Sequence, residues 1–280
     1  MMKRKKKIVF VNSVIGTGST GKICVDFVDK YKKKGYDVKI AYGRGNCDDK
    51  YKKYAIKIGN NLDVYWHVLM TRLFDRHGLC SINATKKFIK WLDEYNPDEL
   101  WLHNIHGYYI NYEILFNWIK KQEKIKVKWT LHDCWAFTGH CSHYTYNKCY
   151  KWEKECKECK YFKDYPKCIL FENSKDNFRR KRKSFLNVKN LEIITPSFWL
   201  KDEVKKSFLK DYDVKVIHNT IDTKIFKPTK SNLREKLGLK NKFVILAVAV
   251  CFSQRWRRNT LMNAFVKNQE LLPILLTGVI

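Results

Sequence analysis

Three clusters of residues in this chain have the types and spacings that chemistry requires. Gly16-Thr17-Gly18-Ser19-Thr20-Gly21 fits the pattern G-x-G-x-x-G, lying between an apolar run and an amphipathic stretch. Glycines at that spacing let backbone N–H groups approach a phosphate, and a helix that follows adds partial positive charge at its N-terminus. With Lys22 the stretch imitates an NTPase phosphate loop, but Ile23 stands where a magnesium-holding hydroxyl belongs. A dinucleotide site calls for an acidic residue near the end of the next strand, and there the chain has Tyr42-Gly43-Arg44-Gly45. Contact with a diphosphate or an acceptor is the expectation for Gly16, Gly18 and Ser19, and a ligand-free tight turn is the alternative.

The second cluster is a pair of polar segments, His103-Asn104-Ile105-His106 and His132-Asp133-Cys134-Trp135, each placed just after an apolar run. In open α/β sheets ligands bind beyond the carboxyl ends of the strands, so both segments are expected to face one crevice. An imidazole there hydrogen-bonds a sugar hydroxyl or a phosphate, and Asp133 acts as a base or orients an acceptor hydroxyl. A purely structural histidine is the alternative at each position. The third cluster is Cys141, Cys149, Cys156, Cys159 and Cys168, with one C-x-x-C pair at Cys156 and Cys159. Four thiolates with a short pair suit a structural zinc site, here Cys141, Cys149, Cys156 and Cys159. Reduced cysteines, a redox pair or a disulfide are the other readings.

These groups need a scaffold, and the composition provides one. The 280 residues are 45% apolar and 15% aromatic, which excludes wholesale disorder and leaves room for one large or two modest domains. No apolar stretch reaches the ~18 residues that span a bilayer. The start, Met1 to Lys7 and then Ile8 to Val11, imitates an export signal, but Asn12 and Ser13 interrupt it, so a first strand and a cytoplasmic protein with reduced cysteines are expected. The formal charge of +28 attracts phosphate-rich partners such as nucleic acid, an anionic membrane face or a nucleotide-linked substrate. Coding bias toward Lys, Asn, Ile and Tyr is an equally good source of that excess.

Along the chain, Ile8–Val14, Asp37–Tyr42, Leu100–Leu102, Val127–Leu131, Glu192–Thr195 and Val214–Ile217 are strand-like. Lys22–Lys34, Ile110–Lys120 and Phe198–Leu209 have helical spacing. Alternation of the two predicts a parallel sheet covered on both faces. The basic run Arg179 to Lys183 is expected to be a solvated helix face, with a nucleic-acid patch as the rival reading. Residues 228–240 form a breaker-containing linker and short helix. Phe243–Val250 is then expected to open a second domain that the remaining residues are too few to finish.

Several segments together resemble retaining, family-4 glycosyltransferases of the GT-B fold from bacterial surface-polysaccharide clusters. They are Val11 through Gly21, Leu102 through Asn111, Trp129 through Cys141, Ile194 through Leu200, and Val216 through Asp222 with Phe226 and Pro228. Thr220 replaces the usual glycine of the last segment. The resemblance implies two Rossmann-like domains, an acceptor-side N-terminal one and a nucleotide-sugar-binding C-terminal one, with no metal needed for catalysis. It implies that His132 lies near the transferring sugar and that Gly16 and Gly18 line the cleft. The family's diphosphate-neutralising Arg and Lys are represented only by Arg255, and its Glu-x7-Glu segment is absent from these 280 residues.

The fold expected is therefore α/β and GT-B-like. An N-terminal parallel sheet would occupy 1–227, with a Cys-rich excursion at 141–168, followed by the start of a second Rossmann-like domain at 241–280. The reaction expected is transfer of a sugar from a nucleotide-sugar to a glycan or lipid-linked acceptor, with catalytic His132 and Asp133 and substrate contacts from Gly16, Gly18, Ser19, His103, Asn104, His106, Asn219 and Arg255. Turnover by this chain is expected to be absent or very weak, because most donor contacts would lie on residues not present. Peripheral contact with an anionic membrane is expected, and specific nucleic-acid binding is not. A non-catalytic acceptor-binding or partner-recruiting module is the alternative.

Overall fold

Short apolar runs with β-branched residues become strands buried on both faces, and seven of them pair in parallel. They are β1 (Lys7–Val14), β2 (Asp37–Arg44), β3 (Ala55–Lys57), β4 (Glu99–Leu102), β5 (Lys126–Thr130), β6 (Leu191–Thr195) and β7 (Val214–Val216). The computed structural model describes residues 4–240 and 242. The sheet order is β3-β2-β1-β4-β5-β6-β7, so chain direction across the sheet reverses between β1 and β4. All pairings are parallel, with Val11 opposite Leu102 and Leu102 opposite Trp129. A parallel sheet puts every strand's carboxyl end on one edge. In open sheets of this kind the reversal, here between β1 and β4, is where ligands bind. The α/β expectation holds.

Strand periodicity sorts the core into two layers. Val9, Val11, Leu100 and Leu102 pack into one cluster, while Ile8, Phe10 and Trp101 pack into the other. The second is covered by α1 (Gly18–Lys33), which buries Cys24, Val25 and Val28. The first is covered by α3 (Ile82–Tyr95), α4 (Tyr112–Ile119), α5 (Ser174–Phe185) and α6 (Phe198–Lys206). Between β3 and α3 runs α2 (Asn61–Phe74), fixed at its start by a reciprocal capping box between Asn60 and Asp63. Its buried residues are His67 and Thr71, whereas Leu62, Tyr65, Trp66 and Leu69 are exposed.

The chain divides into two compact units, 1–220 and 221–280. In the second, the described part is exposed except at Leu239, with a short helix at Leu233–Lys236, and Gly238 follows with φ of 66°. The expected strand Phe243–Val250 lies outside the described residues. The basic run Arg179–Lys183 is the expected solvated helix face at Arg179, Arg180, Arg182 and Lys183, and Lys181 is the exception. It is buried and donates to the Trp135 and Thr138 carbonyls, at 2.7 and 3.0 Å. Arg179 pairs with Glu155 and Arg180 with Glu113. Lys181 is therefore the member of the run that packs inside this unit.

One backbone approach at the carboxyl edge demands a glycine. A Cβ on Gly43 would lie 2.0 Å from the Cβ of Tyr109, so the end of β2 and the loop after β4 touch directly. By contrast, a Cβ on Gly35 meets nothing within 4 Å, and its only cost is the left-handed φ of 81°. Gly43→Ala is expected to destabilise by about 3 kcal/mol or more, through overpacking against backbone-anchored atoms. Gly35→Ala is expected to cost about 1 kcal/mol. Urea denaturation of both variants checks this, and equal losses would contradict the packing of Tyr109 on β2.

Candidate functional site at the carboxyl edge of the sheet

Residues that end β1, β4 and β5 build the floor of the candidate site. Asn12, fully buried near the end of β1, donates through Nδ2 to the Val14 carbonyl at 2.8 Å and to Thr20 Oγ1 at 3.3 Å. Its Oδ1 accepts from the Asn104 amide at 3.2 Å. One side chain thus ties the glycine loop and the first turn of α1 to the loop after β4. Next to Asn104, His103 Nδ1 lies 3.0 Å from His132 Nε2, which joins the loop after β4 to the loop after β5. The expected convergence of these loops on one edge is observed.

The glycine loop closes on itself through Gly16 N–H to the Gly21 carbonyl, at 3.1 Å. Gly16 and Gly18 have φ of 68° and 61°, the left-handed region that favours glycine, and a Cβ on either would meet open space. Gly21 is different, since its Cβ would lie 3.1 Å from the Gly16 nitrogen, so this glycine lets α1 pack tightly on the end of β1. The α1 N-terminus carries no side-chain cap and no acidic residue in its first turn, and Thr17, Gly18 and Ser19 are exposed. Its amides are therefore free to meet an anion.

Asp133 sits at the centre. Its Oδ1 accepts from the Trp135 amide at 2.9 Å, and its Oδ2 lies 3.1 Å from His106 Nε2, an ion-pair approach off the hydrogen-bond line. Burial works to raise the Asp133 carboxyl, but His106, the Trp135 amide and His143 together hold it below the usual carboxylate value. The imidazoles of His132, His103 and His77 also shift downward, which for them favours the uncharged form. Burial pushes His132 down to about 4, and it pushes His103 and His77 well below the ordinary value, with neighbouring imidazoles adding to the effect on His103 and His77. At neutral pH the floor therefore holds one carboxylate among neutral imidazoles.

Several of these rings have nitrogens without partners, namely His103 Nε2, His77 Nδ1 and His106 Nδ1. Buried polar atoms are normally satisfied, so unpaired ones gathered at the carboxyl edge of the sheet are exceptional. His77 Nε2 accepts from the Gly107 amide at 3.1 Å, which leaves the proton on Nδ1, the unpaired atom. His77 also stacks near Tyr108 at 4.8 Å and His106 at 5.4 Å, and Tyr165 of the Cys-rich excursion comes within 6.1 Å of it. Arg44, at the end of β2, lies over Tyr108 at 5.5 Å.

His103, Asn104, His106, His132, Asp133 and the glycine loop are thus brought to one edge. Asn219 is exposed beyond β7 and makes no hydrogen bond among the described residues, and Arg255 lies outside them. Sequence reasoning missed Asn12, His77, Tyr108 and Tyr165, and it noted Arg44 only as the wrong charge for a dinucleotide site. The position of Arg44 at a strand's carboxyl end was the available signal for it. His77 and Tyr165 come from connections whose path no local pattern gives. Cys141, Cys149, Cys156 and Cys159 line a separate cavity.

Comparison with known proteins yields one informative relative. The chain is 24% identical over 226 residues to an Escherichia coli (strain K12) protein named "Putative colanic acid biosynthesis glycosyl transferase WcaC". The alignment covers 77% of this chain and 54% of that protein, so the chain spans about half the length of the relative. No family model matches the chain. Among the described residues, no helix is long and apolar enough to cross a membrane.

The neutral imidazoles make stability depend on pH. His67 donates from Nδ1 to Ser81 Oγ and accepts the Gly78 amide at Nε2, and burial pushes it down to about 3. An unfolded chain takes up this proton near pH ~6.5 while the folded one does not, so the stabilisation is whole above ~6.5 and is lost as pH falls toward 3. Each such histidine contributes a slope of about 1.4 kcal/mol per pH unit in that window. Urea denaturation at pH 7 and pH 5 is expected to show this decline, less steep by about one such increment in His67→Gln. A flat profile in the parent chain would contradict the buried neutral assignment.

Proposed function

We propose that this chain is a glycosyltransferase of bacterial surface-polysaccharide biosynthesis, of the retaining family-4, GT-B type. It moves a sugar from a nucleotide-sugar to a glycan or lipid-linked acceptor. The observation that carries the reading is the ionised Asp133 among neutral imidazoles at the sheet's reversal point, tied through Asn12 to a glycine loop with open amides. The relationship to a protein named for glycosyl transfer in colanic acid biosynthesis supports the substrate class.

In this reading Asp133 accepts or orients the acceptor hydroxyl proton, which its ionised state allows. His106 and His77 offer unpaired ring nitrogens to sugar hydroxyls, His132 stands beside them held by His103, and Asn104 keeps the loop in register. Amides at Gly18 and Ser19 meet phosphate oxygens, where a leaving diphosphate gains charge and preorganised donors stabilise it. Arg44 supplies positive charge at the same edge. Asn219 and Arg255 remain proposed donor-side contacts by resemblance, and residues 228–240 remain the proposed link to a nucleotide-sugar domain.

The acceptor side also fits a membrane surface. The exposed face of α2 presents Leu62, Tyr65, Trp66 and Leu69, and the segment Ile169–Phe171 extends it. The Ile169 and Phe171 amides donate to the Arg72 and Leu73 carbonyls, and the Phe171 ring stacks on Phe74 at 5.5 Å. An apolar patch on a chain of net charge +28 suits the anionic inner face of a plasma membrane, where lipid-linked acceptors would be met.

Transfer of radiolabel from a panel of nucleotide-sugars to lipid-linked glycans held in anionic vesicles tests the reading. Label is expected in the lipid fraction, reduced roughly 100-fold or more in Asp133→Asn. Because turnover by this chain is expected to be very weak, retention of the lipid-linked glycan is measured beside it: neither transfer nor saturable acceptor binding would overturn the reading, and transfer or binding unaffected by Asp133→Asn and His132→Ala would overturn the site.

A further inference from the structure

Cys141, Cys149, Cys156 and Cys159 are separated by seven, six and two residues, yet all four line one cavity of about 340 Å³. Each thiol lies within electrostatic reach of others in the set: Cys141 of Cys149 and Cys156, Cys156 of Cys149 and Cys159, and Cys159 of Cys141 and Cys149. The segment that brings them together has little apolar support of its own, with Trp152 and Tyr144 as its large buried side chains. Lys148 and Glu158, each immediately before a cysteine, both take the left-handed backbone with φ of 48°. Lys151 donates to the Lys157 and Glu158 carbonyls and so braces the Cys156–Cys159 turn.

A second observation points to a ligand in this cavity. His140, 2% exposed, lines the same wall; its Nδ1 is held by Asp75 at 2.6 Å, and its Nε2 has no partner. A buried polar atom left unsatisfied on the wall of a thiol-rich cavity is unexpected for an empty space. Lys148, Lys151, Lys157 and Lys160 line the cavity as well. Their charge has no counterpart in four protonated thiols. Glu158, on the same wall, offsets one of these lysines, and four thiolates around a dication would offset two more.

We propose that this cavity binds one zinc ion through the four thiolates of Cys141, Cys149, Cys156 and Cys159. Binding replaces four thiol protons, which pass to the buffer, with a dication, and leaves a doubly negative centre among the lysines. Among the described residues no three His, Cys, Asp or Glu side chains stand close enough to hold a metal as they are, so the thiols draw inward on binding. The ion anchors the excursion that carries Tyr165 to His77 and that Asp75 ties to the end of α2 through His140. This role is structural and independent of the reaction proposed above.

Metal analysis of the full chain, purified reduced with zinc and dialysed against a chelator, tests this. About one equivalent of zinc is expected to remain. Cys156→Ser and Cys159→Ser are expected to lose it, while Cys47→Ser, outside the cavity, keeps it. Should the serine variants fail to fold, cobalt titration of the parent chain decides, with thiolate-to-cobalt charge-transfer bands expected at one equivalent. Less than about 0.2 equivalents of zinc, or no such bands, would overturn the proposal. So would disulfides among these four cysteines, found by alkylation under denaturing conditions.

Discussion

Asn12 is the constraint on which the arrangement of the edge depends. Its position near the end of β1, beside the reversal of chain direction, is the one place where a single amide reaches the glycine loop, the start of α1 and the loop after β4. A buried amide has four hydrogen-bonding positions to satisfy, and leaving any of them empty costs about 1–3 kcal/mol. Fixed partners at Val14, Thr20 and Asn104 therefore hold three segments in one register. The His103 to His132 contact extends that register to the loop after β5.

The electrostatic character of the site follows from where these loops rest. His103 is sandwiched between Phe10, Phe27 and Trp101, so its charged form is excluded by burial under α1. Asp133 is rescued from the same fate by an amide and by His106. Asp133, His132, His103 and His77 are all shifted downward, so at neutral pH the carboxylate keeps its charge while the three imidazoles carry none. The same physics serves acceptor binding, because neutral imidazoles both donate to and accept from sugar hydroxyls.

Much of the fold was legible because buried parallel strands read as apolar runs, and the runs at Ile8, Asp37, Leu100, Val127, Glu192 and Val214 all became strands. The loops after β1, β4 and β5 were legible as site elements because topology alone sends them to one edge. What escaped was governed by contacts distant in sequence. The apolar residues of α2 face outward while His67 and Thr71 face in, so hydrophobic periodicity would assign its faces wrongly. Lys181 looked solvated in a run of like charges, but its ammonium rests on carbonyls of the Trp135–Thr138 turn and over the Trp135 ring at 3.8 Å. His77 reaches the floor only because Gly107, from another loop, donates to it.

The central claim is that an ionised Asp133 sits among neutral, desolvated imidazoles at the edge where the glycine loop also lies. Nitrogen-15 spectra of the histidine side chains, recorded from pH 8 to pH 5, test it most directly. His103 and His132 are predicted to keep the shifts of a single neutral tautomer throughout that range. Titration of either ring with a midpoint near ~6.5, the value of a solvated histidine, would contradict the account.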